Sequence, residues 1–335
     1  MFGDFFQGGT IGAVTGGFDF VNSDLPLAGG SRRVKIAEHN KAVPTDRIYF
    51  LYHHFHNAID VTRFPAAGTP ISNSYSLDRF TIGFEKTWDC NNWSAELRMP
   101  FTGGFDLVDI GPGGPGAADF RMATEHVGDL SLILKRVLFS NSKYAVAGGI
   151  GVNLPTGSDV EGSFIRLAQP VTYRVNNDAV HLLPYLGFVA APRDDWFAHG
   201  FIQFDFATDG NRVSLTNAGG TTSGTVNEQN LLYLDLSVGR WLHRQPNNCW
   251  WRGTALLGEI HYTHSLQSVD TFPIANFASF GNFLGDLRVT NATIGLHVEM
   301  TECTSLRFGG VFPLSSQTNQ RLFDSEVQAA LIRKF

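Results

Sequence analysis

No stretch of this sequence approaches the roughly 18 consecutive apolar residues that a membrane helix needs, because Gly, Asp, Asn or Arg interrupts every apolar run. Any membrane span must therefore be made of strands. Charge is sparse as well. Charged residues are 17% of the 335, the net charge is -6, and no block of like charges occurs, which removes the basic footprint of a nucleic-acid binder. There are three cysteines, Cys90, Cys249 and Cys303, without the paired CxxC spacing of a zinc site and too few for a small disulfide scaffold. The opening residues Met1-Phe2-Gly3-Asp4 have no basic region and no long apolar segment, so a secretory leader is expected to have been removed or lost. The glycine-rich run from Gly111 to Gly116 lacks the Lys-Ser/Thr of a phosphate loop, and no cofactor motif is found elsewhere.

What the chain does have is glycine, phenylalanine and alternation. It holds 36 Gly and 28 Phe at a mean hydropathy of -0.05, the near-neutral value of a barrel whose strands are apolar only at alternate residues. In 196–206, Trp196, Ala198, Gly200, Ile202, Phe204 and Phe206 share one face, opposite His199, Gln203 and Asp205. Leu232, Leu234, Leu236 and Val238 oppose Tyr233, Asp235 and Ser237, and Phe80, Ile82 and Phe84 oppose Arg79, Thr81 and Glu85. With weaker candidates added, strands are expected near 48–57, 77–87, 93–101, 127–139, 144–154, 179–191, 196–207, 230–243, 253–265, 287–300, 304–313 and 325–335.

That pattern predicts an all-β fold, a transmembrane antiparallel β-barrel of about 12 strands over 47–335. Residues 1–46, marked by Gly8-Gly9, Gly16-Gly17 and Gly29-Gly30, carry no sustained period and are read as a Gly-rich N-terminal extension or a lumen plug. Connections alternate long and short along the chain. Outer-membrane barrels have short periplasmic turns and longer external loops, so an even strand count places both termini on the periplasmic side. A soluble sandwich, with strands of about 5 or 6 residues, has no reason to keep this alternation. The cysteines fall in turns of the short class, where a Cys249–Cys303 disulfide and three free thiols both remain open.

The last strand puts Val327, Ala329, Leu331, Arg333 and Phe335 on one face. It resembles the C-terminal strand of bacterial outer-membrane proteins, which makes Phe335 the expected recognition signal for the barrel-assembly machinery. Arg333 departs from the usual apolar residue there. A wider resemblance is carried by Val34-Lys35-Ile36-Ala37-Glu38, by Asp46-Arg47-Ile48-Tyr49-Phe50, by the segment from Phe80 to Thr87 and by that from Ala179 to Phe188. The chain is similar to a planctomycete-type family of outer-membrane barrels described in general terms as transporters. This implies an outer-membrane location and lipid as a partner, and it supplies no solute.

If the apolar face meets lipid, the other lines a lumen. Its candidates are Arg79, Glu85, Glu96, Arg98, Lys135, His199, Asp205, Asp235, Glu259, His261, His297, Glu299 and Arg307. Charges at membrane depth mark a solute path or pair with one another. The first option implies passive passage of small hydrophilic solutes. The second implies a non-conducting, structural or surface-binding barrel. The long segment 102–126 is a candidate constriction or a surface loop, and an assembly of identical barrels is compatible with either reading. His181, His199, His261 and His297, next to acidic residues, suggest pH-dependent conductance. His53, His54 and His56 cluster, but the sequence names no third ligand beside His54 and His56, so no metal is expected. Ser237 and His261 lie on consecutive strands, yet nothing supplies an oxyanion site, and no catalytic residues are assigned.

Overall fold

The computed structural model describes residues 1–4, 8–15, 19–26, 33–64, 71–103, 107–109, 120–122, 126–166, 169–267, 270–274, 278–281, 286–315 and 320–335. The barrel strands are β1 Arg47–Phe64, β2 Ile71–Trp88, β3 Trp93–Gly103, β4 Leu130–Ser140, β5 Tyr144–Leu154 and β6 His181–Ala190. They continue as β7 Trp196–Ala207, β8 Leu231–Arg244, β9 Gly253–Ser265, β10 Arg288–Glu299, β11 Thr304–Pro313 and β12 Ser325–Lys334. Each pairs antiparallel with the next, and β12 pairs with β1 from Ser325↔His56 to Lys334↔Arg47, so the sheet closes on itself. Closure leaves no edge strand, the condition for a sheet to stand in lipid without orphaned backbone groups.

Alternation of side chains sorts the two faces as the sequence implied. In β8 the inward Leu231, Tyr233, Asp235 and Ser237 are buried, whereas Leu234, Leu236 and Val238 point out and are exposed. Phe50, Ile82, Phe84, Ile202 and Ile294 join that outer face. A continuous apolar exterior of this extent is what lipid contact requires and water penalises. Toward the short-turn rim stand Trp88, Tyr144, Trp196 and Trp250, all exposed, where amphipathic rings favour a membrane interface.

The connections β2–β3, β4–β5, β6–β7, β8–β9 and β10–β11 are short. In the first, Asp89, Cys90 and Asn91 all have φ between 54 and 66°, a left-handed run that Asp and Asn tolerate better than most residues. Inside the barrel, inward aromatic rings lie across glycines of the neighbouring strand. A Cβ on Gly83 would sit 2.0 Å from the Tyr49 ring, and one on Gly187 would sit 2.6 Å from that of Phe201. Glycine at these two positions makes room for a ring that fills the lumen.

The long connections differ from the expectation of plain loops. Leu107–Asp109, Phe120–Met122, Val160–Arg166, Gln169–Val175, Asn211–Asn217 and Gly220–Val226 form a six-stranded sheet at the long-loop end. Val160, Val171, Tyr173, Val213 and Leu215 pack on Phe55, Ile59 and Leu77 of β1 and β2 and on Val311 and Phe323, which covers the mouth with an apolar layer. Strands β1 and β2 also run farther than the expected 48–57 and 77–87, because they continue to pair beyond an irregularity between Phe55 and Ile59. The first 46 residues contain a hairpin, Gly8–Thr15 with Asp19–Pro26, that pairs with Val61 to Phe64 of β1 and with Ala278–Gly281. Of segment 102–126, the candidate constriction or surface loop, 104–106, 110–119 and 123–125 lie outside the described residues.

Candidate functional site

Every charged or histidine candidate for the lumen stands on the inward parity of its strand, and most are fully buried. They are buried because residues 1–4 and 33–40 occupy the interior with them. Two walls of opposite sign face these segments. On β1 to β4, Arg47, Arg79, Arg98 and Lys135 outnumber Glu85 and Glu96. On β7 to β9, Asp205, Asp235 and Glu259 are accompanied by His261.

The first wall is internally paired. Arg47 Nε lies 2.7 Å and Lys135 Nζ 2.9 Å from Glu85, Arg98 Nε lies 2.8 Å from Glu96, and the Tyr49 hydroxyl donates to the same Glu96. The surplus positive charge turns to the N-terminal segment. Arg79 pairs with Glu38, Lys135 donates to Asn40 Oδ1 at 2.9 Å, and Arg47 donates to the His39 carbonyl at 2.6 Å. His53 lies between Glu38, at 3.3 Å, and Glu326, at 2.6 Å.

The second wall takes cations from the same segment. Arg33 reaches Asp205 at 2.7 Å and Glu228 at 3.1 Å, beside His181. Lys35 sits between Asp4 and Asp235, 3.0 Å from the latter. Burial disfavours the Lys35 ammonium, but Asp235 and Asp4 outweigh it and hold its pKa above the usual lysine value. Burial, followed by the nearby His53 and Arg307, pushes His39 well below an ordinary histidine, and neither of its ring nitrogens has a hydrogen-bond partner. Phe2 enters a socket made by two glycines, since a Cβ on Gly295 or Gly309 would lie 2.3 or 3.0 Å from its ring.

The remaining candidates divide. His199 meets the edge of Phe197, and His297 accepts from Arg307 Nε at 3.3 Å, with Glu299 3.9 Å from its other nitrogen. His54 and His56 point away from the lumen, to Asp78 and Ser76 respectively. Asp4, Asp235 and His261 bring ligand-type atoms within 4.8 Å of one another, but the Lys35 ammonium already bonds both carboxylates there. Ser237 and His261 do not form a pair: His261 uses its nitrogens on Asp235 and Thr293, and Ser237 Oγ has no hydrogen-bond partner. Cys90, Cys249 and Cys303 are all free and exposed, so no disulfide joins the last two. Phe335 stacks on Phe84 with ring centroids 5.7 Å apart.

Sequence reasoning missed Arg47 and the charged residues of 33–41 as part of the interior. Arg47 shares parity with Tyr49 and His53 but stands one residue ahead of the expected strand 48–57. The others carried a signal in the dense charge of Arg33, Lys35, Glu38 and Lys41 within an otherwise glycine-rich stretch.

Fold and interior together define a closed twelve-stranded antiparallel barrel of the outer-membrane type, with an apolar outside and a polar inside. No protein-family model matches the chain, nor does any curated protein by sequence. Among solved structures it is similar to the COG4313 outer membrane channel from Pseudomonas putida F1, at 11% identity and a TM-score of 0.54, covering 90% of this chain and 100% of that one. It is also similar to the β domain of the Bordetella autotransporter BrkA, at 12% identity and a TM-score of 0.50, covering 87% and 100%. At these identities the likeness shows a shared fold.

Proposed function

We propose that this protein is an outer-membrane channel for small hydrophilic solutes, closed in the present conformation by residues 1–4 and 33–41 of its own chain. The last strand ends at the short-turn rim, taken as periplasmic, where Phe335 on the lipid face serves as the assembly signal; Met1, expected on that same side, instead lies inside the barrel with its ammonium donating to the Asn40 carbonyl. The observation that carries the reading is the bonding between segment and wall: Arg33 with Asp205, Lys35 with Asp235 and Glu38 with Arg79. A core built only for stability gains little from such pairs, because replacing buried ion pairs by packed apolar residues is commonly neutral or stabilising. A lumen that must at times hold water needs polar walls and a polar stopper. The resemblance to the planctomycete-type barrels supports the same reading, whereas the fold alone is shared by a channel and an autotransporter domain.

A second reading is favoured by one observation. Val34, Ile36 and Ala37 pack with Ile133, Leu183, Tyr185 and Phe201 of the wall, an apolar anchor suited to a permanently filled, structural barrel. Planar-bilayer recording of the full-length protein separates the two. The channel reading expects brief openings that become frequent when the ion pairs of 33–38 are removed. Their consistent absence in variants that still show heat-modifiable gel mobility would leave the structural barrel.

A further inference from the structure

Resting on that channel reading, we infer that the lumen is a binding groove for a peptide or short peptide-like zwitterion, and that residues 33–41 occupy it as an internal competitor. The walls recognise main chain as well as side chains. Gln203 accepts from the Ile36 amide at 2.6 Å and donates to the Val34 carbonyl at 2.7 Å, a paired main-chain bond of the kind a neighbouring strand makes, made just before the chain turns through Lys35 to Asn40. Arg98 donates to the carbonyls of Lys35, at 3.1 Å, and Ile36, at 3.3 Å, and Arg47 donates to that of His39. On the other stretch, Gln328 donates to the Gly3 carbonyl at 2.7 Å. None of these bonds depends on the side chain of the residue being held, so a peptide of different sequence can make them.

Charge then selects among guests. The cations Arg33 and Lys35 lie on the acidic wall and Glu38 lies against Arg79, so the groove takes positive charge on one side and negative charge on the other. A simple anion of the same size would meet Asp205, Asp235 and Glu259, and a simple cation would meet Arg79 and Arg98. Only a guest carrying both signs, separated along its length, satisfies both walls. Burial matters here, because the interaction of opposed charges strengthens as water is excluded.

The test uses the full-length Arg33→Gln/Lys35→Gln/Glu38→Gln variant, whose resident segment has lost its charged anchors while the walls are intact. A fluorescently labelled nonapeptide with the sequence of residues 33–41 is titrated against it in detergent micelles by anisotropy, beside a version with the three charges reversed. The native-sequence peptide is expected to bind at least tenfold tighter than the reversed one, and adding Asp235→Asn should weaken it at least fivefold. Equal binding of the two peptides, or none by either, overturns the inference. Conductance of the same variant is read independently: binding without conductance rejects the channel and keeps the groove, and conductance without binding does the opposite. If the triple variant lacks heat-modifiable mobility, Glu38→Gln alone is titrated with the same two peptides and judged by the same ratio.

Discussion

Lys35→Met removes the ammonium that holds two carboxylates together inside the barrel. The Lys35, Asp4 and Asp235 side chains are all at most 1% exposed, so no solvent is at hand to replace it. Removing one partner of a buried ion pair costs about 3–5 kcal/mol, because the uncompensated charge stays behind. His261, 2.8 Å from Asp235, relieves part of that burden and argues for the lower end, about 3 kcal/mol. The cost falls on the docked state alone, since an undocked segment exposes both carboxylates to water. At about 1.4 kcal/mol per factor of ten, the closed-to-open ratio should fall about a hundredfold. Open probability of the full-length variant in a planar bilayer at fixed voltage measures it, with heat-modifiable mobility confirming an intact barrel. Lys35→Met/Asp4→Asn, which keeps the side-chain contact to Asn291 and removes one stranded carboxylate, should recover part of the closed population. An unchanged open probability in an intact Lys35→Met barrel would refute the reasoning, because the ion pair would then contribute nothing to docking.

Acid should favour opening through His39. Its pKa is depressed when docked and returns toward the usual 6.5 on release, so the docked state binds fewer protons. Docking is therefore at full strength above 6.5 and weakens as pH falls below it, by at most about tenfold per pH unit for one site. His39→Gln should flatten that part of the conductance profile, and an unchanged slope would assign the response to other groups. Leu234→Arg, on the lipid face, should cost about 2–4 kcal/mol in folding into vesicles if near the midplane. Ser237→Arg, inward and fully buried, should instead push on the docked segment and raise open probability; the reverse ranking would exchange inside and outside. Cys90, Cys249 and Cys303 should all react with a maleimide in purified protein. In intact cells an impermeant maleimide should label none of them until the outer membrane is breached, and prompt labelling would invert the proposed orientation.

The strand count, the closing pair and the two faces of the wall were legible because a membrane strand imposes a period of two, and lipid rejects charge wherever the parity points outward. Arg79, Asp205 and Glu259 could be assigned to the interior on that ground alone. The alternation of connection lengths was legible for the same reason, as it reflects two different ends of one barrel. Parity is a local property, and it says which way a side chain points without saying what it meets. That Lys35 comes between Asp4 and Asp235, 31 and 200 positions away, follows from how the chain folds back into its own barrel. The six-stranded cover over the mouth was likewise hidden, because its strands are short and its sheet is assembled from separate loops. The sequence by itself determined a barrel with a charged interior. Only the tertiary structure decided that the interior is occupied, because occupancy depends on contacts between distant segments that share no periodic pattern.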